Sequence, residues 1–214
     1  NHKTYTYGSS IWTADSSTTC TTAEMRDYLR NAYYKITNNL SLNKFIGLGN
    51  TTYPFRGVVD GGSHIVTIDA KNITSGFVNV SYGSVIQNLT IEYKGNKELL
   101  DVKAALNSNT VANESYFGGI IGDVKGGDNL IRNVSVTYDN DFTISINNHL
   151  QCVGGFLGIV EGGGVIFSDM KEPDGLAESN ISWSDSLTAN KRVYVSPLVG
   201  RVLDGFAINE TDVT

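Results

Sequence analysis

Asp60-Gly61-Gly62-Ser63-His64 sets a carboxylate and an imidazole close together in the chain. These are residue types that acid–base chemistry on sugars uses. A glycosidase needs a second carboxylate within reach, and no Asp or Glu recurs at the chain's internal period. Asp and Gly also supply the left-handed positions of a tight turn between Val59 and Ile65, and the turn is the reading adopted. Gly126-Gly127-Asp128-Asn129 offers one carboxylate and one amide, well short of the roughly six to eight oxygens around calcium, so it too reads as a turn. Gly118-Gly119 with Gly122 is followed by a strand-like run rather than a helix, which argues against a dinucleotide fingerprint. No GxSxG elbow is present. His2, His64 and His149 have no zinc-ligand spacing, and neither a metal nor a cofactor is implied. Cys20 and Cys152, 132 residues apart, allow one disulfide in an oxidising compartment or two separate thiols. Cys152 lies in the apolar run Cys152-Val153-Gly154-Gly155-Phe156-Leu157, where a small buried side chain is the simpler reading. The expectation is a protein that is not an enzyme.

Asparagine carries the other chemistry. Nine Asn-x-Ser/Thr sequons occur, at Asn39, Asn50, Asn72, Asn79, Asn88, Asn113, Asn133, Asn180 and Asn209, where composition alone gives about four. Asn88 and Asn133 share the pattern Ile-x-Asn-Leu/Val-Thr/Ser-Ile/Val, which creates a sequon by itself and could ladder the amides of neighbouring strands. Asn39, Asn50, Asn113, Asn180 and Asn209 fall in loop-like contexts. Their excess points to an extracellular or cell-surface glycoprotein.

The composition bounds what must position these residues. The chain has 214 residues, 40% hydrophobic and 18% charged, with 11 Tyr and 8 Phe, which is enough for a core and unlike a disordered chain. A net charge of -6 argues against nucleic acid as a partner. No apolar run is long enough to insert in a membrane, and the first residues lack the layout of a signal peptide. Residues 1–20 read as a leader strand or loop. Thr21-x-x-Glu24 is a capping box, and Met25, Tyr28, Leu29 and Ala32 form an apolar stripe, which predicts a helix over 22–33. Beyond it, short alternating runs such as Val85–Ile91 and Leu130–Val136 read as strands separated by Gly, Asn and Asp.

Four segments share a loose pattern, beginning at Gly76-Phe77, Gly119-Ile120, Gly155-Phe156 and Pro197-Leu198. Their leading apolar residues are 43, 36 and 42 residues apart. A period near 40 with at least two short strands predicts an all-β fold, a parallel, right-handed β-helix (β-solenoid), with one N-terminal capping helix and glycines at its corners. A β-propeller is the structural rival, disfavoured by the 36-residue spacing. The domain would run over 21–214, within a longer chain because no polar cap follows Ile208. Residues 97–115 and 171–192 would be inserted loops. Asp123 aligns with Ile159 and Arg201, a variability that suggests a solvent-facing position.

FRGVVDGGSHIVTID (55–69), SVIQNLTIEY (84–93), FGGIIGDVKGGDNLIRNVSV (117–136) and VGGFLGIV (153–160) resemble the Gly-rich GLUG-type repeats of bacterial surface proteins and adhesins. The resemblance implies a non-catalytic structural or adhesive module, or a filament subunit. Its partners would be carbohydrate or protein at a cell surface, or further copies of itself stacked end to end. A carbohydrate-active β-helix enzyme, a polysaccharide lyase or glycosidase, is the alternative.

Overall fold

A computed structural model describes residues 2–7, 10–15, 22–99, 114–146, 150–176, 181–183, 192–203 and 207–213. Strands β1 (His2–Tyr7) and β2 (Ser10–Asp15) pair antiparallel. Helix α1 (Thr22–Asn31) follows. It stops two residues short of the expected end, because the carbonyls of Arg30 and Ala32 turn to accept the amides of Arg56 and Val58. Tyr28, expected on its apolar stripe, is exposed. The chain continues through β3 (Tyr33–Lys35), β4 (Leu40–Leu42), β5 (Val58–Asp69), β6 (Gly76–Tyr82), β7 (Val85–Lys94), β8 (Asn96–Leu99), β9 (Glu114–Gly126) and β10 (Asp128–Tyr138). Then come β11 (Thr143–Ile146), β12 (Leu150–Gly154), β13 (Leu157–Val160), β14 (Gly164–Met170), β15 (Ile181–Trp183), β16 (Arg192–Ser196), β17 (Val199–Val202) and β18 (Ala207–Val213).

Among the described residues, every strand pair from β3 onward is parallel. A seven-stranded sheet runs β18-β14-β10-β7-β5-β3 with β4 beside β5, and a six-stranded sheet runs β16-β12-β9-β13-β17 with β6 beside β9. A third sheet, β15-β11-β8, has three strands. The expected β-helix or β-solenoid is corrected here. The two large parallel sheets form layers that nearly close into a barrel, a compact two-sheet domain in place of an elongated, repetitive array. Six strands in a row at about 4.8 Å span only about 24 Å, less than the length of the 13-residue β9. The circuits are also unequal, since the register partners Val85, Leu130 and Ile166 lie 45 and 36 residues apart. The likeness to GLUG-type repeat adhesins therefore does not extend to the architecture. The solenoid stalk, filament and β-helix enzyme roles lose their structural basis with it.

The core lies between the layers. Val59, Ile86, Ile131 and Phe167 stand in register on the inner face of the seven-stranded sheet, opposite the layer that carries Val78, Ile121 and Leu157. Each such side chain contributes about 1.5–3 kcal/mol on leaving water. Tyr93, Phe117, Tyr138 and Phe142 form an aromatic cluster with ring centroids 4.7–6.3 Å apart. The hydroxyls of Tyr93 and Tyr138 donate across the layers to the carbonyls of Gly119 and Gly155, each at 2.8 Å. The Gly-Gly pairs are thus sites of close approach, not corners as expected. A Cβ at Gly119 would come within 2.3 Å of the Tyr138 hydroxyl.

Corners are made elsewhere, as at Gly127 with φ +68°. Beside it, fully buried Asn129 ties neighbouring strands together. Its Oδ1 accepts from the Ser81 hydroxyl (2.5 Å) and the amides of Gly83 (3.1 Å) and Ser84 (3.0 Å). Its Nδ2 donates to the carbonyls of Gly126, Gly127 and Gly164. Asp123 does pair in register with Ile159, and Ile159 with Arg201. It is nevertheless only 2% exposed, and its carboxylate lies 3.1 Å from Lys125, which also pairs with Glu161. Ion pairing makes tolerable the burial that the alignment could not foresee.

Candidate ligand-binding face

Parallel register turns the outward side chains of the seven-stranded sheet into columns across the strands. One column is Tyr33, Val58, Val85, Leu130 and Ile166. Its members are half-buried or exposed, with Tyr33 59% and Ile166 39% exposed. The next outward column along each strand is Lys35, Asp60, Gln87, Arg132 and Ser168. An apolar stripe and a polar stripe therefore run side by side over the same five strands, because the side-chain period of two places them on one face.

The polar stripe is organised on Asp60. Its Oδ2 accepts from the Tyr33 hydroxyl (2.9 Å) and the Gln87 amide (3.2 Å). Its Oδ1 accepts from the Gly62 backbone amide (3.0 Å) and the Asn88 side chain (3.2 Å). The Gly62 amide, with the Asn88 and Tyr33 side chains, holds the Asp60 carboxyl at about 2, below its ordinary 3.8. The same bond to Asp60 raises the Tyr33 hydroxyl. Arg132 donates to Gln87 Oε1 at 2.9 Å, and Asn133 donates to Asn88 Oδ1 at 3.0 Å. The amide ladder between Asn88 and Asn133 is thus present. Both residues are left-handed, with φ +53° and +50°, as is Asp169 on the next strand at +53°. They bend the three strands at one place.

Asp60–His64 forms an irregularity inside the continuous strand β5, where the register shifts between Asp60 and His64. Gly62 and Ser63 are both left-handed there. Among the described residues, no group of three or more His, Cys, Asp and Glu is placed to hold a metal. The sequon asparagines divide by environment. Asn39, Asn50 and Asn133 are exposed, and Asn50 caps its own turn by accepting from the amides of Thr52 and Tyr53. Asn72 and Asn88 are half-buried. Asn79 is 5% exposed, accepting from the Ser75 amide at 2.9 Å and donating to the Ile46 carbonyl at 2.7 Å. Asn113 and Asn180, and the side chain of Asn209, lie outside the described residues, as does Cys20. Cys152 is fully buried in β12.

Tyr33, Gln87 and Arg132 were not singled out by the sequence reading. Their signal is positional, since Asp60, Gln87 and Arg132 are 27 and 45 residues apart, but they share no residue type. No helix among the described residues is long and apolar enough to cross a membrane. Compared with known proteins, the chain matches no family model, no curated protein and no solved structure.

Proposed function

We propose that the chain is a non-catalytic recognition domain that acts outside the cell and binds carbohydrate on the outer face of its seven-stranded sheet. The observation that carries this reading is the pairing of the two stripes. A pyranose ring presents apolar C–H faces and hydroxyl edges, and a Tyr-bearing apolar stripe beside carboxylate, amide and guanidinium groups complements both. Interlocking hydrogen bonds hold the polar groups in place before any ligand arrives, which lowers the ordering cost of binding. Asp60 is fixed in its ionised form by four donors, a poor starting point for a general acid near neutral pH. The sequon excess, with Asn39, Asn50 and Asn133 on the surface, supports an extracellular site of action.

The test is a glycan array probed with the labelled chain and with the variants Arg132→Ala and Gln87→Ala. Retention of neutral oligosaccharides by the parent chain, weakened about tenfold in each variant, is the expected outcome. Retention that both variants leave unchanged would move the site off this face, and no retention of any glycan would remove the reading.

A further inference from the structure

The bend shared by β7, β10 and β14 changes which side chains turn outward. Along β10, Ile131 and Val134 are buried, while Arg132 and Asn133 between them are both exposed. Strand alternation alone would turn one of the two inward. The left-handed backbone at Asn133, φ +50°, lets both stand on the outer face. Asn133 therefore projects beside Arg132, the fourth of the five residues in the polar stripe.

Asn133-Val134-Ser135 is a sequon, and the Asn133 side chain has room for a substituent. Its Nδ2 carries two hydrogens. One is donated to Asn88 Oδ1 at 3.0 Å. A sugar on Nδ2 takes the place of the other and leaves that bond intact. The remaining described sequons lack this combination. Asn79 is buried and donates from Nδ2 to the carbonyls of both Ile46 and Gly49. Asn72 and Asn88 are half-buried, with Nδ2 turned to the Asn43 carbonyl and to Asp60. Asn50 is exposed but lies between Leu48 and Phe55, which bridge to β6 in the other layer. Asn39, also exposed, stands at the sheet edge, where its Oδ1 accepts from the Ile65 amide.

We propose that Asn133 carries an N-linked glycan and that this glycan lies across the polar stripe, closing the face to other ligands. The inference rests on the carbohydrate reading above and adds its regulation, since chains bare at Asn133 are open and glycosylated ones masked. The new bond joins Asn133 Nδ2 to the anomeric carbon of an oligosaccharide carried on a lipid diphosphate. The bond from that carbon to the diphosphate breaks, the lipid diphosphate leaves, and Nδ2 gives up one proton. Arg132 and Gln87, which would recognise a free sugar, then meet a tethered one at an effective concentration that is roughly millimolar. A free glycan of modest affinity cannot displace it.

The test compares the chain secreted by a glycosylating cell, the same chain from a host without the transferase, and secreted Ser135→Ala. This variant destroys the sequon and keeps Asn133, at the cost of the hydroxyl contact between Ser135 and Thr90. Peptide mass should find the glycan at Asn133 in the secreted parent only, and a bare Asn133 there would overturn the proposal. Phenylglyoxal then probes the cover without any ligand. Arg132 should react several-fold more slowly in the glycosylated chain than in either bare form, while Arg56, exposed elsewhere, reacts alike in all three. Equal rates at Arg132 would overturn the masking. On the glycan array, both bare forms should retain neutral oligosaccharides about tenfold more strongly than the glycosylated chain, and equal retention would overturn the masking as well. If Arg132 is protected but the bare forms retain nothing, the glycan cover stands and the carbohydrate reading of the face falls.

Discussion

Asp60 receives four hydrogen bonds on two oxygens, and the consequence is a dependence on acid. A carboxyl whose pKa falls from 3.8 to about 2 on folding adds stability that is fully present above the higher value. That stability is lost as pH drops through the lower one. Thermal melts of the parent chain and of Asp60→Asn at pH 7, 4 and 2 should show the variant less stable at pH 7 and flatter between pH 4 and 2. Parallel pH profiles for the two proteins would mean that another carboxyl carries the acid sensitivity. At this scale the sequence was partly legible. Asp60-Gly61-Gly62 announces a local irregularity because Asp accepts from the amide two residues on, but that irregularity is a register shift inside the continuous strand β5 and not the tight turn expected. Tyr33 and Gln87, which bond Asp60, and Arg132, which bonds Gln87, were hidden because only the pairing of strands far apart in the chain brings them together. The same limit explains Asp123, whose burial depends on Lys125 and Glu161 together.

Among the elements, the corner that joins β9 to β10 depends on Asn129, which engages six partners on three segments of chain. Removing the amide leaves the buried Ser84 amide and other donors without their acceptor, and each such loss costs about 1–3 kcal/mol. Asn129→Ala should therefore destabilise the domain by about 3 kcal/mol in urea unfolding, and a loss below about 1 kcal/mol would show that water or a shifted backbone replaces the amide. Gly126-Gly127-Asp128-Asn129 reads as a turn, and the chain does bend there, at Gly127 alone between the end of β9 and the start of β10. What the segment could not reveal is that Asn129 closes it onto Ser81 and Ser84, some 45 residues earlier. Strand positions were easier. The runs Val85–Ile91 and Leu130–Val136 lie inside β7 and β10, because period-two alternation is a property of each strand alone.

For the molecule as a whole, the period near 40 showed which segments lie side by side, not how the sheets would close. Spacing in sequence reports pairing, whereas closure depends on the bend at Asn88, Asn133 and Asp169 and on the Tyr hydroxyls that bridge the layers. A compact chain of this length has a radius of gyration of about 17 Å. Small-angle scattering from the monomer should approach that figure, and a rod-like profile would contradict the two-sheet domain. The register has a further consequence, in time rather than space. Apart from the β1–β2 pair, the ladders join residues 25 to 47 positions apart, from Tyr33 with Val58 to Asn96 with Thr143. Long loops must close before such contacts form, and chains of this kind fold slowly. While the chain is open, Asn79 is an accessible sequon. Once folded, its amide is locked between Ser75 and Ile46, with no room for even a Cβ at the neighbouring Gly47. In a cell that attaches glycans to emerging chains, folding of this domain therefore races against modification at Asn79. A host without that enzyme runs no such race.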